Sequence, residues 1–288
     1  MRKTIVSIFL SITLLLAISL ILNGCKLKKK DYALSIKNMN NYSINDEERR
    51  ITQVLYFTRD NIFNSDSIVS SINIVDDNDN SLKLKLNNIK KTGYTYKYNK
   101  EKYSSYVYDL TIPQISASMS FKNAKMVINS EDNKLEVEIG SFNIIYDENY
   151  DNKALMVNKL DGLCAYKPYQ SLTKVNISLE NKTNNNITIK SVNMGNNIDL
   201  VLDSSNEELM FNNTNTSINK TVIGYMTIDL ELYLSYKEKY VLKESYIEIV
   251  YNDTISDKTV IIDTFNFYDN GFKLPETDDL IYVKQFKV

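Results

Sequence analysis

The sequence predicts an all-β protein of two tandem antiparallel β-sandwich domains, and three observations carry that prediction. Apolar and polar residues alternate through most of the chain, the period of two that turns one face of a strand toward a core. The alternating runs are separated by clusters such as DDNDN, NSEDN and NKTNNN, whose short polar side chains bond neighbouring backbone and favour turns. One stretch recurs: residues 126–143, MVINSEDNKLEVEIGSFN, align without a gap to 249–266, IVYNDTISDKTVIIDTFN. Six of the eighteen positions are identical (Val127/Val250, Asn129/Asn252, Val137/Val260, Ile139/Ile262, Phe142/Phe265 and Asn143/Asn266). Shared composition alone would give about one or two. Upstream, VSSINI (69–74) answers IKSVNM (189–194).

The chain opens with Arg2 and Lys3, an apolar run from Ile5 to Leu22, then Asn23, Gly24 and Cys25. This resembles a bacterial lipoprotein signal peptide, whose last four residues, here Leu22-Asn23-Gly24-Cys25, form the lipobox. Asn23 stands where the family usually has a small residue. The resemblance implies cleavage after residue 24 and a diacylglycerol on the Cys25 sulfur, which would place the protein on the extracytoplasmic face of the cell membrane. Two acyl chains on one sulfur hold stably where a single chain is marginal. Lys26, Lys28, Lys29 and Lys30 would then meet anionic headgroups, at roughly 1 kcal/mol each. The alternative is an uncleaved membrane helix over residues 4–22, which the four following lysines would orient with the remainder in the cytoplasm. Residues 25–44 are read as the lipidated cysteine and a tether.

The first sandwich is expected over 45–150. SINDEERRITQVLYF (43–57) has a helical start, with Asn45 as a cap, but its second half reads as strand. SINIV, LKLKL, YTYKY, YVYDLTI, AKMVI, KLEVEI and SFNIIY follow as strands. The join falls near 147–170, with a turn at Lys167-Pro168. The second sandwich is expected over 151–288, with VNISL, ITIKSV, IDLVL, MTIDLELYLSY, SYIEIVY and TVIIDTF as strands. The strand, turn and strand of VNISLENKTNNNITIKSVNM resemble the immunoglobulin-like sandwiches of bacterial surfaces, in architecture only, because no Cys-Trp-Cys core signature is present.

Composition excludes more than it suggests. The 288 residues are 43% hydrophobic and 24% charged, enough for a core in each half. From Cys25 onward 32 bases face 36 acids, a net of −4, which excludes a nucleic-acid footprint. The chain has no histidine, which removes Ser-His-Asp and Cys-His nucleophile systems and His-ligated metal sites. No cofactor motif or metal spacing is present, and once Cys25 is lipidated Cys164 stands alone, read as a small buried hydrophobe.

The candidate binding face is a tyrosine cluster in GYTYKYNKEKYSSYVYDL. Tyr94, Tyr96 and Tyr98 alternate before a turn, and Tyr106 and Tyr108 alternate after it, so five rings are candidates for one face of a hairpin. The alternative is cross-strand aromatic packing that stabilises the sheet. Asp76 to Asn80, and Glu276, Asp278 and Asp279, have calcium-like oxygen density but lack the spacing of a calcium loop, and read as solvated turns. The expected function is a non-catalytic module, tethered to membrane lipid through acylated Cys25, that binds or scaffolds an extracytoplasmic protein or cell-wall component. The alternatives are a carboxylate-dependent cell-wall glycosidase, for which no acid pair stands out, and a solute-binding receptor of a transporter, for which the βαβ rhythm is missing.

Overall fold

A computed structural model of the chain describes residues 30–45, 47–146, 153–165, 171–195, 198–202, 216–237, 241–266 and 278–286. Every alternating run named above folds as strand, because each has one face to bury. In chain order the strands are β1 (Asp31–Ile36), β2 (Asn38–Ile44), β3 (Arg49–Phe57), β4 (Val69–Val75), β5 (Ser81–Tyr98), β6 (Glu101–Ile112), β7 (Met119–Ser130), β8 (Asn133–Tyr146) and β9 (Leu155–Ala165). They continue with β10 (Ser171–Asn181), β11 (Ile187–Asn193), β12 (Ile198–Leu202), β13 (Thr216–Val222), β14 (Thr227–Tyr236), β15 (Val241–Asn252), β16 (Asp257–Asn266) and β17 (Ile281–Phe286). Short 3-10 turns occupy Ile62–Asn64 and Asp278–Leu280, and the described residues contain no α-helix.

Strand order runs β13-β11-β15-β2-β8-β7-β4-β5-β6-β3-β1-β17, with β16 also on β15, and a separate sheet runs β12-β14-β10-β9. Neither sheet closes on itself. The long strand β5 belongs to two layers, pairing with β4 over Ser81 to Leu84 and with β6 from Lys85 onward. One apolar core, with Leu55, Phe57, Ile72, Leu84, Tyr108, Leu110, Met126 and Val137, fills the space between β1-β3-β6 and β4-β7-β8. A second, with Met39, Val175, Ile177, Leu230, Ile189, Ile249 and Val260, fills the space between β9-β10-β12-β14 and β11-β13-β15-β16.

The sequence repeat is a repeat of register. Met126 pairs with Val137 and Ile128 with Leu135 in the β7-β8 hairpin. Their counterparts pair identically in β15-β16, Ile249 with Val260 and Tyr251 with Lys258. The neighbouring strand recurs as well, β4 beside β7 and β11 beside β15, but its alignment shifts by two residues. Ile74 faces Met126 and Val192 faces Ile249, so Ile74 answers Val192 rather than Met194.

Three expectations are corrected. Residues 31–44 of the expected tether are strand, one run that bends at Lys37, whose N–H bonds Leu280 O at 2.8 Å, and so changes layers. Residues 281–286, placed by sequence in the second half, pair as β17 with β1 from Asp31↔Phe286 to Ile36↔Ile281 and pack against the first core. The sheets are not purely antiparallel, because β2 lies parallel to both β8 and β15.

That parallel insertion joins the two halves of the sheet. Asn38, Asn40 and Asn41 of β2 are buried; partners meet the amides of Asn40 and Asn41, which makes their burial tolerable, while Asn38 Oδ1 is buried with none. Asn143 Nδ2 donates to Asn41 Oδ1 at 2.8 Å, and Asn41 Nδ2 donates to Met194 O at 3.3 Å and Ser245 Oγ at 3.4 Å. Nearby, Arg49 bonds Ser43 O at 2.7 Å, pairs with Glu244 at 3.3 Å and lies over the Tyr42 ring. Burial, then Glu244, raise the Tyr42 phenol well above its ordinary range. Gly140, at φ +97°, sits opposite Asn38, where a Cβ would stand 2.1 Å from Asn38 O. Gly140→Ala is therefore expected to cost about 2–4 kcal/mol, through strain at positive φ and backbone collision. Urea unfolding checks this; an unchanged midpoint would contradict the β2-β8 contact.

Candidate functional site

The tyrosines do not share a face. The two-residue turn Asn99-Lys100 pairs Tyr98 with Glu101 and Tyr96 with Tyr103, so the even-numbered tyrosines of β5 stand opposite odd-numbered positions of β6 and away from Tyr106 and Tyr108. Tyr103 and Tyr106 are three apart on β6 and point to opposite sides. Tyr106 and Tyr108 are buried in the first core, where Tyr108 OH donates to Phe63 O at 2.5 Å and Tyr106 packs edge-on against Phe57. Tyr106 OH also donates to Asp60, whose carboxyl is held below its usual range first by Lys91 and then by Tyr106.

On the other face, Tyr96 stacks edge-on against Tyr56 at 5.3 Å, in a small apolar cluster with Leu34, Ile36, Tyr103 and Leu280. Burial pushes the phenols of Tyr96 and Tyr103 up to about 12. Tyr98 OH donates to Asp278 at 3.1 Å. Tyr94 alone of the five is exposed. The face expected from alternation is thus divided between two cores, and packing accounts for four of its rings.

The other sequence candidates are placed as follows. Asp76 is the anchor of a hairpin turn: Oδ1 accepts from the N–H of Asn78 at 2.9 Å and of Asn80 at 3.1 Å, and Oδ2 from Asn80 Nδ2 at 2.9 Å. Asp77 pairs with Lys125 at 2.6 Å. Cys164 is half-buried on β9, and burial pushes its thiol up. Leu22, Asn23, Gly24, Cys25 and Glu276 lie outside the described residues. Among the described residues no group of three or more Cys, Asp or Glu is placed to hold a metal ion.

A feature that alternation did not reveal lies at one end of the second core. Of the large apolar side chains that are exposed, Met156, Ile223, Tyr225, Met226 and Ile255 sit there together. Register brings them to one end: Ile187 pairs with Val222, Thr188 with Asn252 and Glu180 with both Thr227 and Met156. Buried Asn181 ties the turns, donating from Nδ2 to Asn185 O at 2.7 Å and Val222 O at 3.1 Å. Tyr225 N–H bonds Thr183 O at 3.0 Å, and a Cβ on Gly224 would stand 2.5 Å from Asn184 O, so the two turns need glycine to meet. The third turn is held by Asp253, whose Oδ1 accepts from Ile255 N and Ser256 N at 3.1 Å and whose Oδ2 pairs with Lys258 at 2.9 Å. These turns present Ile255 at 87% and Tyr225 at 69% exposure. The signal in the sequence was an isoleucine inside the polar turn NDTISDK and apolar residues flanking Gly224 in VIGYM.

No family model matches the chain, and no curated protein matches it. Solved structures give distant similarities only. A protein of unknown function from Porphyromonas gingivalis W83 is 11% identical, covering 81% of this chain and 99% of that one, at TM-score 0.23. The C-terminal domain of the AgI/II polypeptide BspA of Streptococcus agalactiae is 8% identical, covering 80% and 99%, at TM-score 0.19. The secreted serine protease VesC from Vibrio cholerae is 12% identical, covering 82% of this chain and 52% of that one, at TM-score 0.21. Similarity at this level transfers no activity.

Two outcomes follow. Tyr108→Ala is expected to lose about 3–5 kcal/mol of stability, while Tyr94→Ala stays within about 0.5 kcal/mol, both read by chemical denaturation. Asp253 is held down to about 2, first by Lys258 and then by the Ser256 and Ile255 amides. A carboxyl lower in the folded than in the unfolded chain stabilises above about pH 4, and the contribution fades as pH falls toward 2. Protection of the Ile255 and Ser256 amides against hydrogen exchange is thus expected to be constant from about pH 8 to 4 and to fall below that; Asp253→Ala should lose it at every pH.

Proposed function

We propose that the protein is a lipid-anchored, extracytoplasmic contact module: two tandem immunoglobulin-like sandwiches that hold the membrane at one end and engage a protein partner with the apolar crown at the other. The observation that carries this reading is the position of the crown. β1 enters from one direction toward Asn38, and β15 starts beside Asn38 and runs on to Asn252. At about 3.3 Å per residue, this separates Asp31 from the crown by on the order of 50 Å. An anchor at Cys25 would leave the crown pointing away from the bilayer. Exposed Tyr, Ile and Met side chains on short, hydrogen-bonded turns are the kind of anchors that carry contact energy at little ordering cost.

Cys25→Ala is expected to block lipidation and leave the uncleaved precursor, and protease added to intact cells should remove the crown of the unaltered protein. A photo-cross-linking residue at Tyr225 should give one discrete adduct in intact cells, abolished by Ile223→Asp. Unchanged processing of Cys25→Ala, or a crown shielded from external protease, would overturn the reading.

A further inference from the structure

We propose that the β5-β6 hairpin is a basic foot that rests on the anionic headgroups of the bilayer. The proposal deepens the lipid-anchor reading and rests on it. Residues 81–103 carry seven lysines and one acid, Glu101, a net of +6 in a chain of net −2, which leaves −8 for the other 265 residues. All seven lysines are exposed. Of these seven, only Lys91 is in an ion pair with a described residue, Asp60.

Three of the seven, Lys97, Lys100 and Lys102, stand at the turn end of the hairpin, while Lys83 and Lys85 lie at the other end of β5. Lys97 and Lys102 are direct cross-strand partners, an arrangement that opposes sheet pairing. At the apex Asn99 and Lys100 both have positive φ, 46° and 68°. The second position of such a turn favours glycine, yet a lysine stands there and is pushed outward. Exposed Tyr94 adds an amphipathic ring of the kind that settles at a headgroup boundary.

The hairpin also lies where the anchor would hold it. Ala33, Phe57, Ser104 and Thr95 form one row across β1, β3, β6 and β5, which spans about 14 Å at the usual strand spacing. From that row, Lys30, Lys102 and Lys97 all lie in the same direction. Cys25 precedes Lys30 by five residues, at most about 18 Å of chain. An acylated Cys25 therefore brings the hairpin to the headgroups, and a phospholipid surface is the anion within its reach.

The test is amide exchange over residues 94–104 in the full-length lipidated protein, reconstituted in phosphatidylcholine vesicles with and without about 30% phosphatidylglycerol. Exchange is expected to slow roughly tenfold on the anionic vesicles and to recover in about 0.5 M salt. Lys97→Glu/Lys100→Glu/Lys102→Glu should abolish the effect while exchange in β2 stays unchanged. Lys97→Gln/Lys102→Gln, which relieves the like-charge pair, should fold at least as stably and also lose it. Equal exchange on both vesicles, with the protein still floating with them, would overturn the foot and leave the anchor standing. Protection by inorganic phosphate on phosphatidylcholine vesicles would reassign the hairpin to a free anion and overturn it too. Failure to float with either vesicle would remove the anchor, and the foot with it.

Discussion

Everything in this molecule hangs on the burial of an asparagine-rich strand. β2 lies parallel between β8 and β15, and its amides sit where water does not reach. Leaving one such group without a partner costs about 1–3 kcal/mol, so the strand is stable only when both neighbours are in place. Asn41 makes the dependence explicit: it accepts from Asn143 on one side and donates to Met194 and Ser245 on the other. Gly195 closes against it, since a Cβ there would stand 2.9 Å from Asn41 Cγ. A hydrophobic strand in this position would tolerate sliding, whereas a directional network fixes one register.

The sequence made the sheet-forming strands legible because a half-buried strand leaves a period of two, as in MTIDLELYLSY, where Leu230 and Leu232 are buried and Asp229 and Glu231 are not. It hid β2, because NMNNYSI is buried on both faces and fills them with amides, so neither alternation nor hydrophobicity marks it. Short β1 and β17 pair with each other from positions far apart in the sequence, and β3 meets β1 at Ala33 and Leu34 alone. The tyrosine pattern misled for a related reason. Alternation predicts a face within one strand, and the two-residue turn Asn99-Lys100 sets even positions of β5 opposite odd positions of β6, so the two halves of the pattern fall on opposite faces. The crown escaped notice because single apolar residues in turns carry no period.

The two ends of the molecule differ in chemistry as much as in position. Positive charge gathers on β5 and its turn, while apolar side chains gather on the turns joining β13 to β14 and β15 to β16. Both ends use backbone conformations that L side chains rarely adopt, Lys100 at φ 68° in one and Tyr225 at φ 59° and Thr254 at φ 78° in the other. Such positions cost of order 1–3 kcal/mol each and persist because the surrounding hydrogen bonds over-determine them. Neither end is built for maximal stability.

The pairing of β1 with β17 ties the order of synthesis to the order of folding. β1 waits for β17, and β3 offers it only the Ala33 and Leu34 positions in the meantime. Closing so long a loop is slow relative to the local hairpins, which form early. A nascent chain therefore carries an open strand edge along Asp31–Ile36 until Ile281–Phe286 follow, and one truncated before Ile281 keeps that edge for good, inviting strand addition by a second molecule or recognition by quality-control proteases. The arrival of β17 is thereby sensed by the fold itself.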